Sequence, residues 1–244
     1  MLYPEHGFLD RFGAAAADGF RGVEYVSPYE HPPQLIAELL QRHGLEQVLF
    51  NSHAGDWAAG ERGLAALVGR EAEFAAGIET SITYAQALGC RKIHVMAGIV
   101  PPGADRDAAE ALLVANLRHA SERFAAHGIV ALMEPINQLS MPGYAVSTLE
   151  QAERIWSAVA HDNLRLQFDF FHIQMSHGAT LEAFARLLPR IGHVQIADAP
   201  GRHEPGTGDM DYAAIFAALK PYDGWIGAEY IPSGPTSAGL GWRD

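Results

Sequence analysis

Three features of the chain predict an α/β fold that closes into a (β/α)8 barrel. Strand-like and helix-like patterns alternate along almost its whole length. Its 244 residues, 48% of them hydrophobic, suffice to bury one full core, and α/β barrels commonly reach this size as a single domain. Third, four strand-like runs in succession finish on an acid or an amide. "IVALMEPIN" ends in Glu134, "LRLQFDFFH" in Asp169, "IGHVQIAD" carries Gln195 and "GWIGAEYIP" carries Glu229. A doubly wound sheet gathers its ligand at one switch point, whereas a barrel brings every strand end to one mouth. Four polar strand ends therefore favour the barrel. With no low-complexity linker, residues 1–244 read as one domain.

The elements follow in order. "GFLDRFGAAAADGF" has Phe8, Leu9, Phe12 and Ala16 on one helical stripe and Gly19 as a stop. "GVEYVS" (22–27) is a short strand. "PPQLIAELLQRHG" is a helix with Pro at its start and Gly44 at its end. "LEQVLFNS" supplies a strand at 45–51, and the long loop "HAGDWAAGERGLAALVGR" leads to an Ala-rich helix at 71–89. "RKIHVMAG" gives a strand at 92–97 and "DRDAAEALLVANLRHASERFAAHG" a helix. After the strand at 129–134 comes the helix "STLEQAERIWSAVA", with Ser147 or Thr148 as N-cap and Glu150 as capping-box partner. The strand at 164–170, the helix "TLEAFARLLPR", the strand at 192–197, the helix "DYAAIFAALKPY" and the strand at 225–230 complete the series. These are seven strands where a barrel needs eight. The chain opens on a helix, so the strand lacking is the first.

Bulk properties narrow the function classes. Lys and Arg number 17 against 29 Asp and Glu, a formal charge of −12. That balance argues against nucleic acid, whose phosphates need a basic face. No apolar run approaches the roughly 18 residues of a membrane span. "MLYPEHGFLD" lacks the basic start and apolar run of a signal peptide. Cys90 is the only cysteine, so no internal disulfide forms and a reducing cytoplasm is expected.

Glu134, Asp169, Gln195 and Glu229 together offer three carboxylates and one amide oxygen. Such an all-oxygen set suits Mg2+ or Mn2+ better than zinc, which favours His and Cys. A divalent cation also neutralises acids that otherwise repel one another. Any one of these acids could instead cap a helix or pair with an Arg; four in register argue for a site. A carboxylate that binds a cation through one oxygen keeps the other for proton transfer. Glu134 and Glu229 are therefore candidate proton carriers, and the reaction class is aldose–ketose isomerisation or epimerisation beside a carbonyl.

"NSHAGDWAAGERG", "EPIN", "FDFFH", "HVQIAD", "HEPGTGDMDY" and "GWIGAEY" together resemble the hydroxypyruvate isomerase family, within the xylose-isomerase-like TIM barrels. The resemblance runs from about residue 5 to the C-terminus. It implies metal ligation by Glu134, Asp169, Gln195 and Glu229, with Glu134 and Glu229 as the catalytic pair. It also implies interconversion of hydroxypyruvate and 2-hydroxy-3-oxopropanoate (tartronate semialdehyde), a step of glyoxylate metabolism. A 2-oxo-tetronate isomerase resembles the same family, and "HVMAGIVPPG" and "GLGW" fit that subgroup at least as well. Ketose 3-epimerases usually place His where Gln195 stands here. Family members carry roughly ten more residues before "LYPEHGFLDRF", enough for one strand. The expectation is therefore that Met1 is internal to the natural protein, and that a chain starting there is less stable, prone to edge association and weakly active.

The remaining candidates lie around the mouth. By family resemblance His172, just past Asp169, contacts substrate, and Arg202 in "ADAPGRHEPGTGD" can grip a carboxylate. Asn137 in "EPIN" fixes the turn after Glu134 and is a further substrate contact. His53 to Trp57 belong to a loop that covers the mouth, while Asp198 and Glu204 read as loop residues. The expected partner is a small anionic hydroxy-keto acid, with neither nucleic acid nor membrane, and assembly as a homo-oligomer is left open. Two other classes compete. A phosphodiester-cleaving barrel resembling endonuclease IV needs a His-rich zinc site and a DNA-binding face. A non-catalytic relic draws its support from the missing strand.

Overall fold

The fold is set by two opposite demands along each strand. Alternate residues face either an outer layer of helices or the barrel interior. In the strand Leu164–Asp169, Leu166 and Phe168 are buried outward, and the Phe168 ring lies 5.4 Å from that of Phe184 on a covering helix. Gln167 and Asp169 take the intervening positions. The computed structural model describes residues 1–243. Among them, parallel strands β1 (Gly22–Tyr25), β2 (Glu46–Asn51), β3 (Lys92–His94), β4 (Val130–Met133), β5 (Leu164–Asp169), β6 (Ile191–Ile196) and β7 (Ile226–Ala228) pair in sequence order.

The helices are α1 (Arg11–Ala17), α2 (Pro33–His43), α3 (Glu71–Leu88), α4 (Arg106–Ala125), α5 (Leu149–Val159), α6 (Phe170–His177), α7 (Thr180–Leu187) and α8 (Tyr212–Leu219). Among the described residues none is long and apolar enough to cross a membrane. A large apolar core lies between sheet and helices, and Val48, Leu49 and Leu132 form a small separate cluster. The interior is polar at its centre, with Glu24, His94, Gln167 and His193 pointing inward from four strands.

Seven strands are present among the described residues, as counted from sequence, and none of the pairings joins β1 to β7. The seam between them is a groove lined by Phe12, Phe20, Val23, Trp225 and Ile226. Three local readings need correction. The strands are shorter than read at most ends; β3 stops at His94 and not 97, and β7 covers only Ile226–Ala228. The first helix is split into a 3-10 turn, Phe8–Asp10, and α1. The partner in the α5 capping box is Gln151, not Glu150. Thr148 accepts from Gln151 N at 3.1 Å, and Gln151 Oε1 returns the bond to Ser147 N at 3.0 Å.

Helix α6 escaped the pattern altogether. Phe170, Phe171, His172 and Ile173 are all buried, so the segment carries no apolar stripe to betray a helix. Its presence matters because it turns His172 back toward Asp169.

Candidate active site

Glu134 follows β4 directly and is 4% exposed. Its Oε2 accepts from Gln167 Nε2 at 3.0 Å and lies 3.5 Å from His94 Nδ1. Its Oε1 is buried without a hydrogen-bond partner, a costly state for a carboxylate oxygen. Burial pushes the Glu134 carboxyl well above its ordinary range, and the nearby charges of Glu229 and Asp169 push it further. Burial likewise empties His94 of charge, with a pKa lowered to about 3.

Asp169 ends β5 and does two things at once. Oδ1 accepts from Phe171 N at 2.8 Å, capping α6. Oδ2 faces the interior, 3.2 Å from an Arg202 Nη and 3.6 Å from His172 Nε2. Burial raises its pKa and Arg202 opposes the shift. Gln195 is in register with Asp169 on β6, and its Oε1 accepts from Gln167 Nε2 at 2.7 Å. Glu229 lies one residue past β7, its backbone N–H still bonded to Ile196 O at 3.1 Å. Its carboxylate accepts from the Arg202 Nη at 2.7 Å. The four strand-end residues thus belong to four neighbouring strands of one barrel, bridged by Gln167 and Arg202.

His172 and Asn137 form a pair. Ser140 N donates to Asn137 Oδ1 at 2.8 Å, which leaves the Asn137 NH2 to meet His172 Nδ1 at 2.7 Å. Nδ1 is therefore the acceptor, and the neutral ring carries its proton on Nε2. Burial keeps His172 uncharged, helped by Arg202. Nε2 lies 3.6 Å from Asp169 Oδ2 and 4.0 Å from Glu134 Oε1. The ligand atoms of Glu134, Asp169 and His172 all fall within 4.8 Å of one another. In this tautomer His172 offers a donor and not a lone pair. Asn137, 1% exposed, stands behind it as its support.

Arg202 adopts a left-handed backbone, φ +57°, and lies 4.9 Å over the Phe171 ring. Burial opposes its charge, but the carboxylates of Glu229 and Asp169 outweigh it and raise its pKa. Asp198 accepts four backbone N–H groups, from Ala199, Gly206, Gly208 and Met210, and so moulds the loop that presents Arg202. Glu204 takes both Ser233 N and Ser233 Oγ. Both are loop residues, as the sequence suggested.

The mouth is a cavity of ≈ 730 Å³ that includes Glu134, Gln195 and Glu229, with Tyr29, His53 and Trp57 among its outer walls. Glu24, His94 and Gln167 were not singled out from sequence. Each sits inside a strand where a polar residue reads as the solvated face. The only signal was an acid in the short run "GVEYVS".

Whether these residues suit a cation follows from their chemistry. Glu134 Oε1 is unpartnered, and the donors are mostly hard oxygens. Burial disfavours the charge on Glu134, Asp169 and Glu229 alike. A divalent ion reverses that balance, so the set fits one.

The xylose isomerase-like TIM barrel family matches residues 12–244. A 2-oxo-tetronate isomerase of Cupriavidus necator is 49% identical over 99% of this chain and 94% of its own length. The hydroxypyruvate isomerase of Escherichia coli K12 is 42% identical over 100% of this chain and 95% of its own. A solved structure described as an AP endonuclease, family 2, from Brucella melitensis superposes with a TM-score of 0.96 at 43% identity, covering 99% of this chain and 94% of that one. With a family match over nearly the full length and relatives named as isomerases, the chain belongs to the xylose isomerase-like TIM barrel family and is an isomerase of that family.

Proposed function

We propose that the chain interconverts hydroxypyruvate and 2-hydroxy-3-oxopropanoate, assisted by one Mg2+ or Mn2+ ion held by Glu134, Asp169, Gln195 and Glu229. The observation that carries this reading is the pair of glutamates at the ends of β4 and β7, both directed at one cavity. One takes the proton from C3 and the other returns a proton to C2, while the hydroxyl proton passes from O3 to O2. Burial raises the pKa of both carboxyls, which suits groups that must hold a proton between two steps. The cation would polarise the carbonyl and hydroxyl oxygens of the substrate. His172 Nε2–H donates to a substrate oxygen, with Asn137 holding the ring. Arg202 faces the substrate carboxylate with the donors that Glu229 and Asp169 leave it. The partner is thus a small anionic hydroxy-keto acid, and the setting is cytoplasmic.

A second reading replaces hydroxypyruvate with a 2-oxo-tetronate. It is favoured by the relative at 49% identity and by a cavity of ≈ 730 Å³, roomy for a three-carbon acid. Kinetics on both acids with a single Mn2+-loaded preparation decides. A kcat/KM for hydroxypyruvate at least about tenfold above that for 2-oxo-tetronate, a gap of about 1.4 kcal/mol, supports the first reading. The reverse ratio installs the second, and no turnover of either, with Mn2+ bound, removes both.

A further inference from the structure

Glu24 stands on β1, across the open seam from the rest of the site. Its Oε1 accepts from Gln195 Nε2 at 2.8 Å, and its Oε2 lies 2.6 Å from His193 Nε2. No other side-chain hydrogen bond among the described residues links β1 to β6. The path of this side chain is built into the opposite strand. Gly227 pairs in register with Gln195, and a Cβ on it would collide with the Glu24 carboxylate. The Asp169–Gln195 row therefore contributes no side chain from β7, and Glu24 fills that place.

The consequence concerns the Gln195 amide, whose two ends differ chemically. Only its oxygen can ligate a hard cation, and only its NH2 can donate. An ionised carboxylate accepts and never donates, so Glu24 takes the NH2 end. Oε1 is thereby turned toward Gln167, whose Nε2 also reaches Glu134 Oε2 at 3.0 Å. The hydrogen bonds run Glu24–Gln195–Gln167–Glu134, from the seam to the far glutamate. We propose that Glu24 is a positioning residue for the cation site, fixing the rotation of the Gln195 amide so that its oxygen, and not its NH2, is presented on the side of Gln167 and the cation. This deepens the cation-assisted reading above and rests on it.

The alternative is that Glu24 only ties β1 to β6 or contributes negative charge. A double-mutant cycle on Mn2+ binding, followed by calorimetry, separates the two. Wild type, E24Q, Q195A and the double variant are titrated with Mn2+ alone. The expected result is a 10- to 100-fold weaker Kd in E24Q, the range usual when a residue supporting a ligand is lost. In the Q195A background the same change should cost no more than about twofold, because the amide it orients is gone. Binding by E24Q within about threefold of wild type overturns the proposal. So does an equal loss in both backgrounds, which would make Glu24 a matter of charge or packing. If E24Q does not fold, G227A takes its place, since it keeps the charge and displaces the carboxylate. Wild-type affinity in G227A, or failure of both variants to fold, also overturns the proposal. A wild-type protein that binds no Mn2+ overturns the cation-assisted reading itself and this one with it, a result distinct from the others.

Discussion

Glu134 and Glu229 end strands of one barrel and face one cavity, yet their surroundings differ. Glu134 follows β4, which has β3 and β5 on either side, and its side chain is 5% exposed. It meets neutral groups, Gln167 and the uncharged His94. Glu229 follows β7, whose only strand partner among the described residues is β6, and its side chain is 22% exposed. It meets a charge, Arg202. One glutamate is fixed by a closed wall and a hydrogen bond from a neutral amide. The other, beside the seam, is fixed by an ion pair. A proton taken up by Glu134 breaks no ion pair with a cation, whereas a proton on Glu229 loosens its hold on Arg202. The barrel thus sets up two chemically unlike carboxyls without any difference in residue type.

The largest effect expected from breaking this comparison is on the wall. Glu134→Gln keeps the shape and the contact with Gln167 but removes the proposed proton carrier. Turnover should fall by about 10² or more, with folding unchanged. Mn2+ content must be measured alongside, because loss of the ion alone would mimic the result. Near-normal turnover with Mn2+ bound ends the two-glutamate scheme.

The next effect is on stability. Phe168 on β5 is 1% exposed and packs against Phe170 and Phe184 at 5.0 and 5.4 Å. Trp225, at the seam, rests on Gly22 and reaches Glu46 with its Nε1 at 3.1 Å in an exposed hydrogen bond. Phe168→Ala should cost about 3–5 kcal/mol and Trp225→Ala about 1–2 kcal/mol. Urea denaturation measures both. Equal costs would mean that the seam is packed as tightly as the wall.

How much of this could be read beforehand follows the same division. The strand-end acids were legible because an apolar run that stops on a carboxylate is rare without a reason. The single cysteine and the seven strands were legible for equally local reasons. The polar floor was not. His94, Gln167 and His193 alternate with apolar neighbours just as surface residues of a strand do, and a period of two cannot tell a barrel interior from solvent. Glu24 was hidden because its importance lies in Gln195, far away in sequence and reached only when the barrel curls. Helix α6 was hidden because its first four residues are all buried and leave no apolar stripe. Asn137 was placed correctly as the holder of its turn, but its grip on the His172 ring depends on α6 and could not be seen without it.

A smaller effect sharpens the role of Arg202. Its Nε bonds Glu229 O at 3.3 Å and one Nη spans Glu229 and Asp169, a forked geometry that a lysine cannot copy. Arg202→Lys should lower kcat about tenfold for any substrate, since Glu229 loses its fixed position. If Arg202 also meets the substrate carboxylate, KM rises for hydroxypyruvate and stays level for a neutral hydroxyketone. An equal KM change for both would confine Arg202 to holding Glu229.

The smallest expected effect is no reaction at all, and it tests the closed side of the molecule at a point remote from the chemistry. Cys90 precedes β3 and is 3% exposed, its thiol donating to Lys92 O at 3.3 Å. Burial pushes its pKa up to about 12. A raised thiol pKa disfavours the thiolate, the form that attacks an alkylating reagent. At pH 8 that leaves roughly one part in 10⁴ as thiolate, before access is considered. Iodoacetamide should therefore leave the native protein unlabelled over hours and label it fully once urea has unfolded it. Mass spectrometry reads the result directly. Rapid labelling of the native chain would show that the wall around β3 opens as readily as the seam, and the contrast between the two glutamates would lose its structural basis.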